Sequence, residues 1–246
     1  MKNILIIKKL TIKTNNKIIL SNINLSINKG EIHAIMGPNG SGKTTLSRAL
    51  VKDPEYITEG TILYKNEDTI NFSTEMCAQK GIFLTFQNPI SIPGVTNIQF
   101  IKSSINTIKK FKNEQPLDII EFTKIIKKNI KLLNMSEDFL YRSLNDGFSG
   151  GEKKKNEILQ MLILNPDLII LDEIDSGLDI DALQTISEVI NLFKTKEKSI
   201  IIITHYNRIL NYIIPDFIHI LKQGKIVHSG DKNLSLKLEK NGYNFI

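Results

Sequence analysis

Apolar residues fall along this chain in two rhythms. In the first part they form short β-branched runs at 4–7, 18–20, 23–27 and 32–36. The pairs Asn15-Asn16 and Lys29-Gly30 separate them, and runs of this size bounded by turn formers predict strands. A glycine-rich turn follows, then a helix from Thr44 to about Val51, and further strands over 61–64 and 82–86. From 96 to 145 the rhythm changes. Ile119, Phe122, Ile125, Ile126, Ile130 and Leu133 recur at helical spacing, which predicts a helical insert. Beyond it a helix over about 152–164, the strand "LIILD" at 168–172, a helix over about 182–193 and the strand "SIIIIT" at 199–204 alternate. Near-continuous apolar strands alternating with helices predict a parallel sheet covered on both faces.

Composition narrows the function classes. The chain has 246 residues, 41% hydrophobic and 24% charged, as an ordinary globular protein does. Its apolar runs are strand-sized and far short of a membrane span. The opening "MKNILIIKKL" lacks the pattern of a signal or transit peptide. A single cysteine, Cys77, cannot build a disulfide framework, a zinc site or an iron–sulfur centre within the chain, and reads as a small apolar filler. The formal charge of +6 is dispersed among acids and follows a Lys-, Asn- and Ile-rich composition, so no nucleic-acid partner is expected.

The chemistry concentrates in a few segments. "GPNGSGKTT" comprises Gly37, Pro38, Asn39, Gly40, Ser41, Gly42, Lys43, Thr44 and Thr45, and lies between a strand and a helix. That is the context of a phosphate-binding loop. The glycines let backbone N–H groups wrap a β-phosphate, Lys43 can bridge the β- and γ-phosphates, and the Thr44 hydroxyl can ligate Mg²⁺. Asp172 ends a buried strand, where ligands bind in an open α/β sheet, and suits the Mg²⁺ shell. Glu173 is placed to orient or deprotonate an attacking water. His205 ends the next strand and is expected at the γ-phosphate or its water. Gln87 follows the strand before the insert and can reach Mg²⁺ or the water, reporting the γ-phosphate to the insert. His33, His219 and His228 lie in strand-like runs and read as structural.

In "GFSGGEKKKNE", Ser149 with Glu152 three residues on forms a capping box, while Gly150 and Gly151 leave N–H groups bare for an anion. The chain's own loop already surrounds one nucleotide, so Ser149 is expected to bind that of a second subunit. Lys153, Lys154 and Lys155 read as a solvated face.

The order of phosphate loop, Gln87, Ser149-Gly150-Gly151, Asp172-Glu173 and His205 resembles the ABC ATPase family across essentially the whole chain. The segments "FQNPISIPGVTN", "GFSGGEKKKNEILQM", "DSGLDIDAL", "ITHYNRIL" and "LEKNGY" are similar to the branch that serves Suf iron–sulfur cluster assembly. The resemblance implies one ABC nucleotide-binding domain over 1–246. Residues 1–95 and 146–246 would form a P-loop NTPase core with a parallel sheet and an N-terminal antiparallel β subdomain, and 96–145 an inserted helical subdomain. It implies ATP and Mg²⁺ as ligands, with Thr44, Gln87 and Asp172 at the metal. Two copies would clamp two ATP molecules head to tail in a transient homodimer, with Asp179 on the loop that crosses the interface. It also implies a soluble protein of bacterial cytoplasm or plastid stroma, without membrane insertion, driving SufB- or SufD-like scaffolds. The alternative is the ATP-binding subunit of a membrane transporter. The chain departs from the family in "TIKTNNKII", which offers no aromatic residue to stack a base, and at Lys155, where arginine is expected.

Overall fold

The structure is a computed structural model and describes residues 3–242; the first two and last four residues, and with them the end of "LEKNGY", lie outside the described residues. In chain order the elements are β1 (Asn3–Thr14), β2 (Lys17–Asn28), β3 (Ile32–Met36), α1 (Lys43–Leu50), β4 (Ile57–Tyr64), β5 (Glu67–Asp68), α2 (Thr74–Gln79) and β6 (Ile82–Thr85). There follow β7 (Ile92–Thr96), α3 (Asn97–Phe111), α4 (Ile119–Leu132), β8 (Ser143–Leu144), α5 (Gly150–Leu164), β9 (Leu168–Asp172), α6 (Ile180–Phe193), β10 (Ser199–Thr204), β11 (Phe217–Lys222), β12 (Lys225–Gly230) and α7 (Asn233–Asn241).

The six-stranded sheet runs in the order β12-β11-β3-β10-β9-β6. Its strands pair in parallel except β12, which returns antiparallel along β11. Period-2 alternation divides each central strand between two cores. Ile169, Leu171, Ile200 and Ile202 face the cluster that holds Ile101, Phe122 and Ile126 of the insert and Ile158 of α5. Leu168, Ile170, Ile201 and Ile203 face the cluster beneath the four-stranded antiparallel sheet β2-β1-β4-β5. A strand apolar on both faces can persist only when both are covered.

The antiparallel sheet is longer than the apolar runs suggest. Residues 18–20 and 23–27 belong to one strand, β2, interrupted at Asn22, whose φ is +53°. Lys9 makes a similar break in β1 at φ +48°, where the pairing register shifts. Such bulges disturb the alternation on which a strand prediction relies. Shortly after Gln87 the chain forms β7, which pairs antiparallel with β8.

Three strand-borne histidines end in different environments. His228 is exposed on β12. His33 and His219 are buried and hydrogen-bonded to each other at 2.9 Å. The Glu31 carboxylate only accepts, so His33 Nε2–H donates to it at 3.0 Å. His219 Nε2–H then donates to His33 Nδ1, and the Ser229 hydroxyl donates to His219 Nδ1 at 2.8 Å. Both imidazoles are neutral in this chain of bonds. Burial holds both below the ordinary histidine range, His219 at about 4, while Glu31 partly offsets the effect at His33.

A depressed histidine contributes stability that is present above its unfolded value near 6.5 and lost as pH falls toward its folded value. Glu157, raised by burial to about 7, acts in the opposite direction over part of that window. The histidine effect is therefore read as a difference. From pH 7 to pH 5 the wild type should lose about 2 kcal/mol more unfolding free energy than His219→Gln, by linkage. Urea titrations of both proteins at the two pH values measure this, and parallel losses would show that His219 does not stay neutral in the fold.

Candidate active site

Strand register brings the site together. Thr85 of β6 lies opposite Leu171 of β9, Asp172 opposite Ile203 of β10, and Thr204 opposite Met36 of β3. The carboxyl ends of these strands are level, so the residues just past them converge at one edge. From β3 the chain enters the phosphate loop. Gly37 is needed for close approach, since a Cβ there would stand 2.1 Å from the Leu221 carbonyl oxygen. Gly42 has φ +101° and no room beside Leu20. It caps α1 without a side-chain hydrogen bond, which leaves the first amides of the helix bare for an anion.

A cleft of about 290 Å³ opens here, lined by Ile19, Asn39, Gly40, Lys43, Thr44 and Gln87 among others, with Glu173 at its edge. Lys43 is buried, and its ammonium donates to the carbonyls of Gly37 at 2.9 Å and Pro38 at 3.1 Å. Burial pulls its pKa down, and the nearby Glu173 and Asp172 carboxylates push it back up. The lysine is held at its own loop by carbonyls that a phosphate would outbid in charge.

Asp172 is 2% exposed. Its Oδ2 accepts from the Ser47 hydroxyl at 2.7 Å, and its backbone N–H donates to the Thr85 hydroxyl at 3.0 Å. Burial raises its pKa, opposed by hydrogen bonds from Ser47 and Thr44. Its second oxygen, Oδ1, is buried without a partner. A carboxylate with one unsatisfied buried oxygen, next to a threonine hydroxyl at a phosphate loop, is a donor set that fits a hard divalent cation such as Mg²⁺.

Glu173 adopts φ +47°, a left-handed conformation uncommon outside glycine, asparagine and aspartate. The Ile203 carbonyl anchors its backbone N–H at 2.9 Å. Its carboxylate is gripped from both sides, by Gln87 Nε2 at 2.6 Å and by His205 Nδ1 at 3.1 Å. Gln87, Glu173 and His205, predicted separately, thus meet in one hydrogen-bonded triad. The adjoining loop is fixed by Asp175, whose buried carboxylate accepts from the Thr204 hydroxyl at 3.0 Å.

Ser149, Gly150 and Gly151 are not among the residues that line the cleft. Ser149 caps α5 in a complete capping box: its hydroxyl accepts from the Glu152 amide, and its own amide donates to the Glu152 carboxylate at 2.7 Å. Glu152 therefore turns along its own helix. A Cβ at Gly150 would meet nothing within 4 Å. Asp179 caps α6 at the surface, accepting from the Ala182 amide at 2.7 Å.

The expectation for Lys154 is corrected. It is 4% exposed, not part of a solvated face. Its ammonium donates to the carbonyls of Phe86 at 2.7 Å and Gln87 at 3.0 Å, with the Glu157 carboxylate 3.9 Å away. Glu157 accepts from the Phe86 amide at 2.7 Å. Lys154, Glu157, Ile158 and Met161 are all buried and follow the i, i+3, i+4, i+7 spacing of one helix face, so periodicity carried the signal. Cys77 is fully buried in the core, with its thiol pushed up to about 11 by burial, as an inert filler should be.

The sequence profile of the ABC transporter family matches residues 20–176. A "Probable ATP-dependent transporter ycf16" of the alga Antithamnion sp. is 51% identical over 241 residues, covering 98% of this chain and 96% of that protein. A "Probable ATP-dependent transporter SufC" of Escherichia coli K12 is 48% identical over 241 residues, covering 98% and 97%. A dimeric structure of a bacterial ABC transporter cassette superposes with a TM-score of 0.78 at 25% identity, covering 93% of this chain and 98% of that one. A level row of strand ends carries the phosphate loop and the Gln87–Glu173–His205 triad, and relatives match along nearly the whole chain: this chain belongs to the ABC transporter family and is an ATPase of that family.

Proposed function

We propose that this chain is the ATPase of an iron–sulfur cluster assembly machine, closely akin in role to the SufC protein it resembles. It hydrolyses ATP in a head-to-tail pair with a second copy and drives conformational change in a SufB- or SufD-like scaffold. The observation that carries the catalytic part is the Gln87–Glu173–His205 triad beside the phosphate loop. Loop amides and Lys43 hold the β- and γ-phosphates. Thr44, Asp172 and Gln87 would hold Mg²⁺, which when bound offsets the negative charge of the phosphates. Glu173 orients the attacking water and receives its proton; Gln87 and His205 hold that carboxylate until nucleotide draws them to the phosphate side. Gly150 and Gly151 offer bare amides at the start of a 15-residue helix and do not line their own cleft, which supports the completion of each site by Ser149 of the other copy.

The partner reading rests on an apolar face next to Gln87. A groove of about 420 Å³ runs between β6 and α3, lined by Phe83, Phe86, Phe100, Ile108 and Leu164 among others. Phe86 on its rim is 42% exposed, and Ile90, Ile92 and Val95 follow at 68%, 37% and 36%. Apolar side chains gathered in this way mark an interaction site. Among the described residues no helix is long and apolar enough to cross a membrane.

Lys43→Ala is expected to weaken ATP binding by about tenfold or more, because a charge-assisted contact is lost. Glu173→Gln is expected to keep ATP affinity while slowing hydrolysis by about 100-fold or more. Equilibrium binding and single-turnover hydrolysis separate the two, and wild-type turnover by Glu173→Gln would remove this residue from the mechanism.

With ATP, Glu173→Gln should sediment as a dimer, and adding Ser149→Arg should return it to monomer. A dimer indifferent to that arginine would place the interface elsewhere.

The double variant Ile92→Asp with Val95→Asp should lose its scaffold partner and leave ATP affinity within about twofold, since neither side chain lines the nucleotide cleft. Pull-downs from detergent-free extract and from solubilised membranes test the partner. Recovery of a multi-span membrane protein, with no soluble scaffold, would support the transporter alternative instead.

A further inference from the structure

Three asparagines form a cluster that the catalytic reading does not use. Asn97, Asn145 and Asn156 are 1%, 3% and 0% exposed. The Asn156 amide donates at 2.9 Å to the side-chain oxygen of Asn97 and at 2.9 Å to that of Asn145. Each of these two then passes the link outward. Asn97 Nδ2 donates to the Phe139 carbonyl at 2.8 Å, and Asn145 Nδ2 to the Ile90 carbonyl at 2.8 Å. The Ser91 hydroxyl closes the circuit on the Asn145 carbonyl at 2.9 Å. Asn145 has φ +58°, so it turns the chain as well as tying it.

The cluster joins three segments, the first of them far in sequence from the other two. One is the stretch after Gln87 with the exposed Ile90 and Ile92. Another is the loop 145–149 that ends on Ser149. The third is α5, which Ser149 caps and from which Lys154 and Glu157 grip the backbone of Phe86 and Gln87. Arg142 stiffens the same loop from outside. Its guanidinium lies over Phe139 and Phe148 at 5.0 and 4.5 Å from the ring centres and donates to the Gly147 carbonyl at 3.0 Å. The Asn156 carbonyl oxygen itself is buried without a partner.

We propose that Asn145, Asn156 and Asn97 form a latch that sets the loop bearing Ser149 in the position that meets a second copy's nucleotide, and that links this position to the docking segment at Ile90 and Ile92. These are positioning residues; none touches the cleft. The inference rests on the reading that Ser149 completes the site of another copy.

The test uses Asn145→Gly, which accommodates the left-handed turn and removes the side-chain links. In the Glu173→Gln background with ATP, sedimentation should show dimerisation weakened about tenfold or more, the ordinary size of a coupling between sites. In the otherwise wild-type chain, kcat should fall with the KM for ATP unchanged, because the chain's own phosphate loop is intact. Ser91→Ala, which leaves α5 untouched, should move dimerisation in the same direction by less. If Asn145→Gly does not fold, Ser91→Ala decides alone. Folded variants that dimerise as tightly as their parent overturn the latch. A Glu173→Gln parent that stays monomeric with ATP would instead strike the head-to-tail reading, and the latch would fall with it.

Discussion

The Glu173 carboxylate is held between two groups from different strands, and much of the molecule serves that grip. Gln87 reaches it from beyond β6 and His205 from the end of β10, while Glu173 itself follows β9. These strands are neighbours, and a slip of one residue between them would turn Gln87 or His205 to the other face of the sheet. Register is secured by burial, because each strand places alternate residues in two separate apolar clusters. The left-handed backbone at Glu173 is the local cost, on the order of 1–3 kcal/mol for strain of this type. Asp175 bonded to Thr204, and the Glu173 amide bonded to the Ile203 carbonyl, hold the loop in that shape.

The second structural theme is the burial of charge at the join between core and insert. Lys154 and Glu157 lie 3.9 Å apart with almost no exposure, burial drawing the lysine down and raising the glutamate to about 7. Such a pair is weak evidence for stability, because desolvation offsets much of its attraction. Its hydrogen bonds go to the backbone of Phe86 and Gln87, so its effect is to fix the path of the segment that carries Gln87. The helix that presents Ser149 is thereby tied to the residue that reaches Glu173.

Much of this was legible in the sequence. The phosphate loop could be read because strand, glycine turn and helix follow in fixed spacing, and Asp172, Glu173 and His205 because buried strands end on polar residues. The capping box at Ser149 and Glu152 was explicit in the same way. The charge of Lys154 predicts a solvated side chain, but the phase of α5 turns it inward. The asparagine cluster is invisible in the sequence for a different reason: Asn97 lies 59 positions from Asn156, and only the closed fold brings the side-chain oxygens of Asn97 and Asn145 to 2.9 Å from the Asn156 amide. The bulges at Lys9 and Asn22 broke the alternation that would have revealed the full lengths of β1 and β2.

In the proposed arrangement each ATP site is built from two copies of the chain, the phosphate loop from one and Ser149 from the other. Mixing two inactive variants measures it directly. Lys43→Ala lacks the first part and Ser149→Ala, which adds no bulk at the interface, the second, and a mixed pair contains one site with both parts intact. Steady-state ATP hydrolysis by the mixture should exceed the sum of the two variants assayed alone, rising with total protein concentration as mixed pairs form. Hydrolysis no greater than that sum at every concentration would contradict the claim.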